Sequence, residues 1–437
     1  MSDRREWILR IEGMTCDHCA TTVDAALTGV PGVHAATTRY ADGEVRILTV
    51  GDVDGAALAA AVARRGYRVV GQAARPVDDD AATAWRGVDL AVVGSGAAGF
   101  AAAIRAAERG ARVAIVEAGV LGGTCVNVGC VPSKTMIRAA EAMHRAGHHG
   151  FAGVRTWAER PDLASIVAQK DALVDALRTT KYEDVLTAYP AISLVRGRAR
   201  LRRDGGLDVD GRSLGAGKVV VATGAAPWAP PIPGLAEAGY LTSTDALALT
   251  ELPRRLVVLG GGAVGLEVAQ TFARLGTAVT VLEVQPRLVP GEDAEVGDAL
   301  VGYLRDEGLE VALGAVIQRV GGGPGGYRID VVVDGAPRTL ATEQLLVAAG
   351  RRPRTSGLGL ADAGVQTGAR GEVVVDVYLE TTRPGVFAAG DVIGEPALVY
   401  LAAHAGALAA DNALGGEARR YEVTAVPRVT FTDPAVA

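Results

Sequence analysis

Four cysteines in a chain of 437 residues fall into two close pairs, Cys16/Cys19 and Cys125/Cys130. Thiolates are nucleophiles and soft-metal ligands. Two pairs in an otherwise cysteine-free chain point to metal handling or redox work, not to a secretory disulfide scaffold, which is far denser in cysteine. The first pair stands in Gly13-Met14-Thr15-Cys16-Asp17-His18-Cys19. A Cys-X-X-Cys ahead of a helix presents two thiolates to one soft cation. A c-type haem site needs His directly after the second cysteine, where Ala20 stands. Tetrahedral zinc needs two more ligands, and only His18 and His34 are near. A thioredoxin-like redox pair belongs to a different βαβ setting.

The second pair stands in Gly123-Thr124-Cys125-Val126-Asn127-Val128-Gly129-Cys130-Val131-Pro132-Ser133-Lys134. Two thiols this close can form a small disulfide ring if the segment is helical or bent. A cation and a helix N-terminus nearby lower one thiol's pKa and make it the better electron donor. Two inert buried cysteines are the plainer alternative.

Nucleotide-binding units surround that segment. The apolar strand from Val88 runs into Gly94-Ser95-Gly96-Ala97-Ala98-Gly99 and an Ala-rich helix, then a strand ending at Glu117. The same order recurs with Gly260, Gly262, Gly265 and Glu283. Such glycines give a tight turn, close approach to a pyrophosphate and close helix–strand packing; the acid accepts from a ribose. Two copies in strand–turn–helix context predict two dinucleotide sites. Glu283 fits a free 2′-OH and repels a 2′-phosphate, which favours NADH over NADPH, with Arg287 as a counterweight.

The first 70 residues read β-α-β-β-α-β, the ferredoxin-like order, with an Asp-Gly hairpin signal at Ala41-Asp42-Gly43. Residues 71–87, with Pro76 and three aspartates in a row, read as a linker. Net charge −6 with no basic block excludes a nucleic-acid partner held by bulk charge. No apolar stretch is long enough to span a membrane, and no signal peptide is visible. A soluble, cytoplasmic protein is expected. His144, His148 and His149 read as solvated helix-end residues, and His404 as packed.

The segment GTCVNVGCVPSK resembles the redox-active site of the flavin disulfide reductases, and the resemblance covers 88–437. Thr223-Gly224, Gly350-Arg351 and Gly390-Asp391 resemble further motifs of that family. It implies FAD on Gly94, Gly96, Gly99, Glu117, Gly123 and Thr124, with Asp391 on the ribityl chain, and NADPH or NADH on the second triple. It also implies Cys130 against the flavin, Cys125 as the exchange thiol, and a Lys134–Glu267 ion pair beside the flavin. Domains follow: 88–235 and 356–425 for FAD, 236–355 for NAD(P), and 426–437 opening a truncated dimerisation domain.

The GMTCDHC loop resembles heavy-metal-associated domains, which makes Cys16 and Cys19 metal ligands. The combination resembles the mercuric-reductase branch, and Arg178 to Glu183 resembles its segment bearing a tyrosine near the redox pair, here Tyr182. The implied activity is reduction of Hg(II) to Hg(0), with Hg(II) and small thiols as partners and a homodimer in the full-length family. The expected fold class is α/β: two Rossmann-like FAD/NAD(P)-binding domains preceded by a small βαββαβ metal domain. A lipoamide- or glutathione-type reductase with an added metal domain, and a metal carrier with an inert flavoprotein part, are the alternatives.

Overall fold

The computed structural model describes residues 4–14, 17–39, 43–51, 53–76 and 87–437. Thr15, Cys16 and the hairpin tip Ala41-Asp42 therefore lie outside the described residues. The chain divides into two compact units, Met1–Arg86 and Gly87–Ala437.

In the first unit, β1 (Arg4–Glu12), α1 (Asp17–Thr28), β2 (Val33–Arg39), β3 (Glu44–Val50), α2 (Gly55–Ala63) and β4 (Arg68–Pro76) follow the expected order. They form one antiparallel sheet, β2-β3-β1-β4. Alternation in β1 sends Leu9 and Ile11 inward, where they meet Val23, Leu27, Val45, Ile47, Leu58 and Val62. β4 runs to Pro76, into the stretch read as a linker. β1 offers it pairing as far as Arg5↔Pro76, and that backbone pairing outweighs a polar, Gly- and Pro-containing composition.

The second unit holds two parallel sheets. β5 (Val88–Val93), α3 (Ala97–Glu108) and β6 (Val113–Glu117) begin the first. After them come α4 (Gly123–Asn127), α5 (Cys130–Gly147), α6 (Leu163–Arg178) and β7 (Ile192–Arg196). β8 (Ala216–Val221) and, far along the chain, β13 (Val386–Ala388) complete the order β13-β8-β5-β6-β7. The second sheet contains β9 (Arg255–Leu259), β10 (Ala278–Leu282), β11 (Glu310–Ala312) and β12 (Gln344–Val347), ordered β11-β10-β9-β12, with α7 (Ala263–Arg274) after β9. Strands buried on both faces read as continuous apolar runs, which explains Leu90 to Val93 and Leu256 to Leu259.

A final helix, α8 (Val399–Ala413), packs on α3 through small side chains. Its buried face carries Ala402, Ala405, Gly406 and Ala409. His404 points the other way and is exposed, contrary to the packed position expected of it; its ring lies 5.9 Å from that of Tyr421. Among the described residues no helix is long and apolar enough to cross a membrane.

Candidate active site

The two glycine triples build the same device twice. Gly94 and Gly260 have φ of +108° and +118°, and a Cβ there would meet the carbonyl oxygen of Ala222 or Ala348 at 2.4 and 2.5 Å. Gly99 and Gly265 pack so closely that a Cβ would lie 2.0 and 2.1 Å from the oxygens of Gly94 and Gly260. The middle glycines differ. A Cβ on Gly262 would meet nothing within 4 Å, and one on Gly96 only Gly123 Cα at 3.8 Å. These two residues cap α3 and α7, and no side chain caps either helix. Uncapped N–H groups beside open space make a seat for a phosphate.

The acids also match. Glu117 accepts from the Ser95 N–H at 2.9 Å and the Gly119 N–H at 2.7 Å. Glu283 accepts from the Gly261 N–H at 2.5 Å and the Gln285 N–H at 2.7 Å. Among the described residues Arg287 makes no ion pair with Glu283.

The first unit carries one addition. Ser95, fully buried, donates its hydroxyl to Glu117 at 2.5 Å and accepts from the Gly122 N–H at 3.1 Å. It thus ties the glycine turn to the cysteine segment. Gly123, at φ +67°, approaches Gly96 so tightly that a Cβ would lie 2.5 Å from its Cα.

Cys125 lies within the short α4, and Cys130 is the first residue of α5. Asn127 holds α4 in place: its amide donates to the oxygens of Leu121 and Gly123 and accepts from Arg178 Nε at 2.8 Å. The sequence reading missed Ser95, Asn127 and Arg178, although all three lie inside or beside motifs it singled out.

The thiols are unequal. The interaction between the two thiols pushes Cys125 well above the ordinary thiol range and brings Cys130 down to about 7. The Lys134 ammonium, one helical turn on, contributes to lowering Cys130. Lys134 Nζ lies 2.6 Å from Glu267 Oε2, and the Glu267 side chain is 8% exposed. The sequence-predicted ion pair is therefore present, between helices of the two nucleotide units.

Tyr182 also arrives at the pair. α6 ends in a π-helical turn, Thr179–Glu183, that carries it. Single π turns inside helices recur at functional sites. The ring meets Phe100 edge to face at 4.7 Å, and a Cβ on Gly122 would lie 3.2 Å from it. Burial, then the charges of Cys125 and Cys130, raise its pKa above the usual phenol value.

Short antiparallel strands, Ala225–Pro227 and Arg351–Pro353, gather the remaining motif residues. Thr223 Oγ1 donates to Arg354 O at 2.7 Å, and the Arg354 N–H donates to Gly224 O at 2.8 Å. Gly350 O accepts from Trp228, and Arg351 donates to Ala225 O at 2.6 Å. Gly390, at φ +78°, leads into Asp391, whose carboxyl is raised by burial and lowered in part by Arg351. That carboxyl accepts from its own N–H and has no side-chain donor among the described residues. Arg351 in turn senses both Asp391 and Cys130.

In the first unit Cys19 is half-buried on α1, and no group of three or more possible metal ligands occurs among the described residues. Two thiolates suffice for a soft ion in linear coordination.

A sheet pair with two nucleotide turns and a thiol couple between them defines a dinucleotide-dependent oxidoreductase. Residues 88–406 match the pyridine nucleotide-disulphide oxidoreductase family, to which the chain belongs, and residues 8–68 match the heavy-metal-associated domain. Its relatives include a mercuric reductase of Acidithiobacillus ferrooxidans, 42% identical over 100% of this chain and 79% of its own length. Others are mercuric reductases of Lysinibacillus sphaericus (38%; 98% and 78%) and Streptomyces lividans (46%; 80% and 75%). Among solved structures, the HOCl-induced flavoprotein disulfide reductase RclA of Escherichia coli superimposes with a TM-score of 0.70. It is 32% identical over 79% of this chain and 76% of its own.

Proposed function

We propose that this chain reduces Hg(II) to Hg(0) with electrons from NAD(P)H. The observation that carries the reading is the unequal Cys125/Cys130 pair, flanked by Lys134 and Tyr182, in a chain similar to mercuric reductases.

The residues fit FAD and a nicotinamide nucleotide. Uncapped α3 and α7 with open middle glycines suit two pyrophosphates. Gly94, Gly96, Gly99, Glu117, Gly123 and Thr124 would hold FAD, with Asp391 accepting from ribityl hydroxyls. Gly260, Gly262, Gly265 and Glu283 would hold the nicotinamide nucleotide. Thr223-Gly224 and Gly350-Arg351 line the join between the two halves. When bound, these groups supply the two-electron transfer that no side chain here performs.

The chain's own residues handle the metal. Cys16 and Cys19 capture Hg(II) as a two-coordinate thiolate complex and pass it on by thiolate exchange. Cys125, the exchange thiol, displaces the first carrier thiolate, and its proton goes to that leaving thiol; Cys130, ionised near neutrality, then displaces the second. Tyr182 stays protonated beside the pair and donates to the developing thiolates. Two electrons then discharge the metal, both thiolates are released, and the neutral atom leaves because soft thiolate ligation depends on the cation's charge. A cytoplasmic location belongs to the same reading, as does the division into a metal domain, two FAD segments and an NAD(P) segment; a homodimer belongs to the full-length family.

The test is Hg(II)-stimulated oxidation of NAD(P)H by purified protein, abolished in Cys130→Ala. Activity that survives this change overturns the mechanism. Reduction of glutathione disulfide or lipoamide without any response to Hg(II) would place the chain with the disulfide reductases, as its likeness to RclA allows.

A further inference from the structure

The segment after α8 returns to the active site. Residues 430–436 close on themselves through paired bonds between Thr430 and Val436, and Val436 packs on the core of the second sheet. Between these anchors the backbone runs along α7 and meets Glu267, Gln270 and Arg274, three polar residues on one side of that helix. The Phe431 N–H donates to Glu267 Oε1 at 3.0 Å. The Asp433 N–H donates to Gln270 Oε1, and Gln270 Nε2 donates to Asp433 O, both at 2.8 Å. Arg274 reaches the Asp433 carboxylate at 3.0 Å.

Buried polar groups need partners. Glu267 and Gln270 are 7% and 4% exposed, and this strap satisfies them from outside the helix. The contact at Glu267 does more than satisfy an acceptor. With Oε1 taken by the Phe431 N–H, Oε2 is left to face Lys134. The Phe431 ring then lies 4.5 Å from the Lys134 ammonium, at cation–π distance. One residue thus touches both members of the ion pair.

We propose that Phe431 is a positioning residue: its N–H and its ring together fix the Lys134–Glu267 ion pair in one arrangement beside Cys130 and the flavin. The proposal rests on the flavin-dependent reading above. Lys134 is a flexible four-carbon stem with a point charge. Glu267 alone gives that charge one contact; the aromatic face gives it a second. The position of the charge sets the field felt by a thiolate and flavin in contact.

The test uses flavin-loaded protein reduced by two electrons, each variant read at the plateau of its own pH titration of the band, where Cys130 is ionised. The readout is the long-wavelength charge-transfer absorbance from thiolate to oxidised flavin. Lys134→Gln defines the full displacement of the band. Phe431→Ala is expected to give more than half of that displacement, Phe431→Leu the same, and Phe431→Tyr almost none. In the Lys134→Gln background, Phe431→Ala should add nothing, as expected of residues acting through one another. If Phe431→Ala does not fold, Phe431→Leu keeps the backbone and apolar bulk and decides alone. A Phe431→Leu band identical to the parent's, with equal flavin content, overturns the positioning role and leaves the functional reading intact. A parent protein that binds no flavin overturns both.

Discussion

The side chains of Cys125 and Cys130 interact directly, and that interaction drives the acidities of the two thiols apart, Cys125 upward and Cys130 downward. Without it, two cysteines this close would compete for the same charge. Here one is prepared as thiolate and the other as acid, which gives the two thiols different roles.

In reduced, flavin-free protein, iodoacetamide should therefore label Cys130, the more exposed of the two, before Cys125. The thiolate is the reactive form, and a lowered pKa means that it predominates above about pH 7 instead of above about 9. Labelling of Cys130 should rise through pH 7 and fall away on acidification. Lys134→Met removes one of the lowering influences and should move the midpoint upward. Peptide mass spectrometry across pH checks both; earlier labelling of Cys125 contradicts the assignment.

Tyr182→Phe keeps the ring against Phe100 and removes only the hydroxyl. Hg(II)-dependent kcat should fall about tenfold, equivalent to ~1.4 kcal/mol of barrier. Flavin content and the KM for the nicotinamide nucleotide should not change. Steady-state kinetics with Hg(II) as the varied substrate would expose an undiminished kcat.

Neighbouring glycines of one motif should fail in different ways. Gly265→Ala places a methyl against the Gly260 oxygen and should cost stability of about 1–3 kcal/mol, seen as a lowered Tm. Gly262→Ala meets open space and should leave Tm within error. Its methyl would instead occupy the phosphate seat and weaken binding of the nicotinamide nucleotide, measured by calorimetry. A Gly262→Ala variant with lowered Tm and normal binding would refute this division of roles.

Glu283 is clamped by two backbone N–H donors, so its carboxylate cannot swing away from an incoming ribose. A free 2′-OH is an acceptable partner and a 2′-phosphate is repelled. NADH should give a higher kcat/KM than NADPH, and Glu283→Ala should narrow that ratio by roughly tenfold. A parent preference for NADPH would show that Arg287, not Glu283, governs the site.

The sequence by itself determined the parts whose physics is local. A strand, a glycine turn and a helix start must be consecutive to seat a pyrophosphate, so both nucleotide units were legible, acids included. The Cys125/Cys130 pair was legible for the same reason, and the ferredoxin-like order of the first unit followed from alternation and turn signals. The extent of β4 was not legible: whether Gly71 to Pro76 joins a sheet depends on what β1 offers across the gap. Only the tertiary structure decided which thiol becomes the thiolate, since that depends on the side chains converging on each sulfur. It also brought Asp391 near Arg351, and placed Phe431 on a glutamate 164 positions earlier and on the lysine which that glutamate holds. No spacing rule reaches that far, because such contacts are set by how the last segment packs across helices already in place.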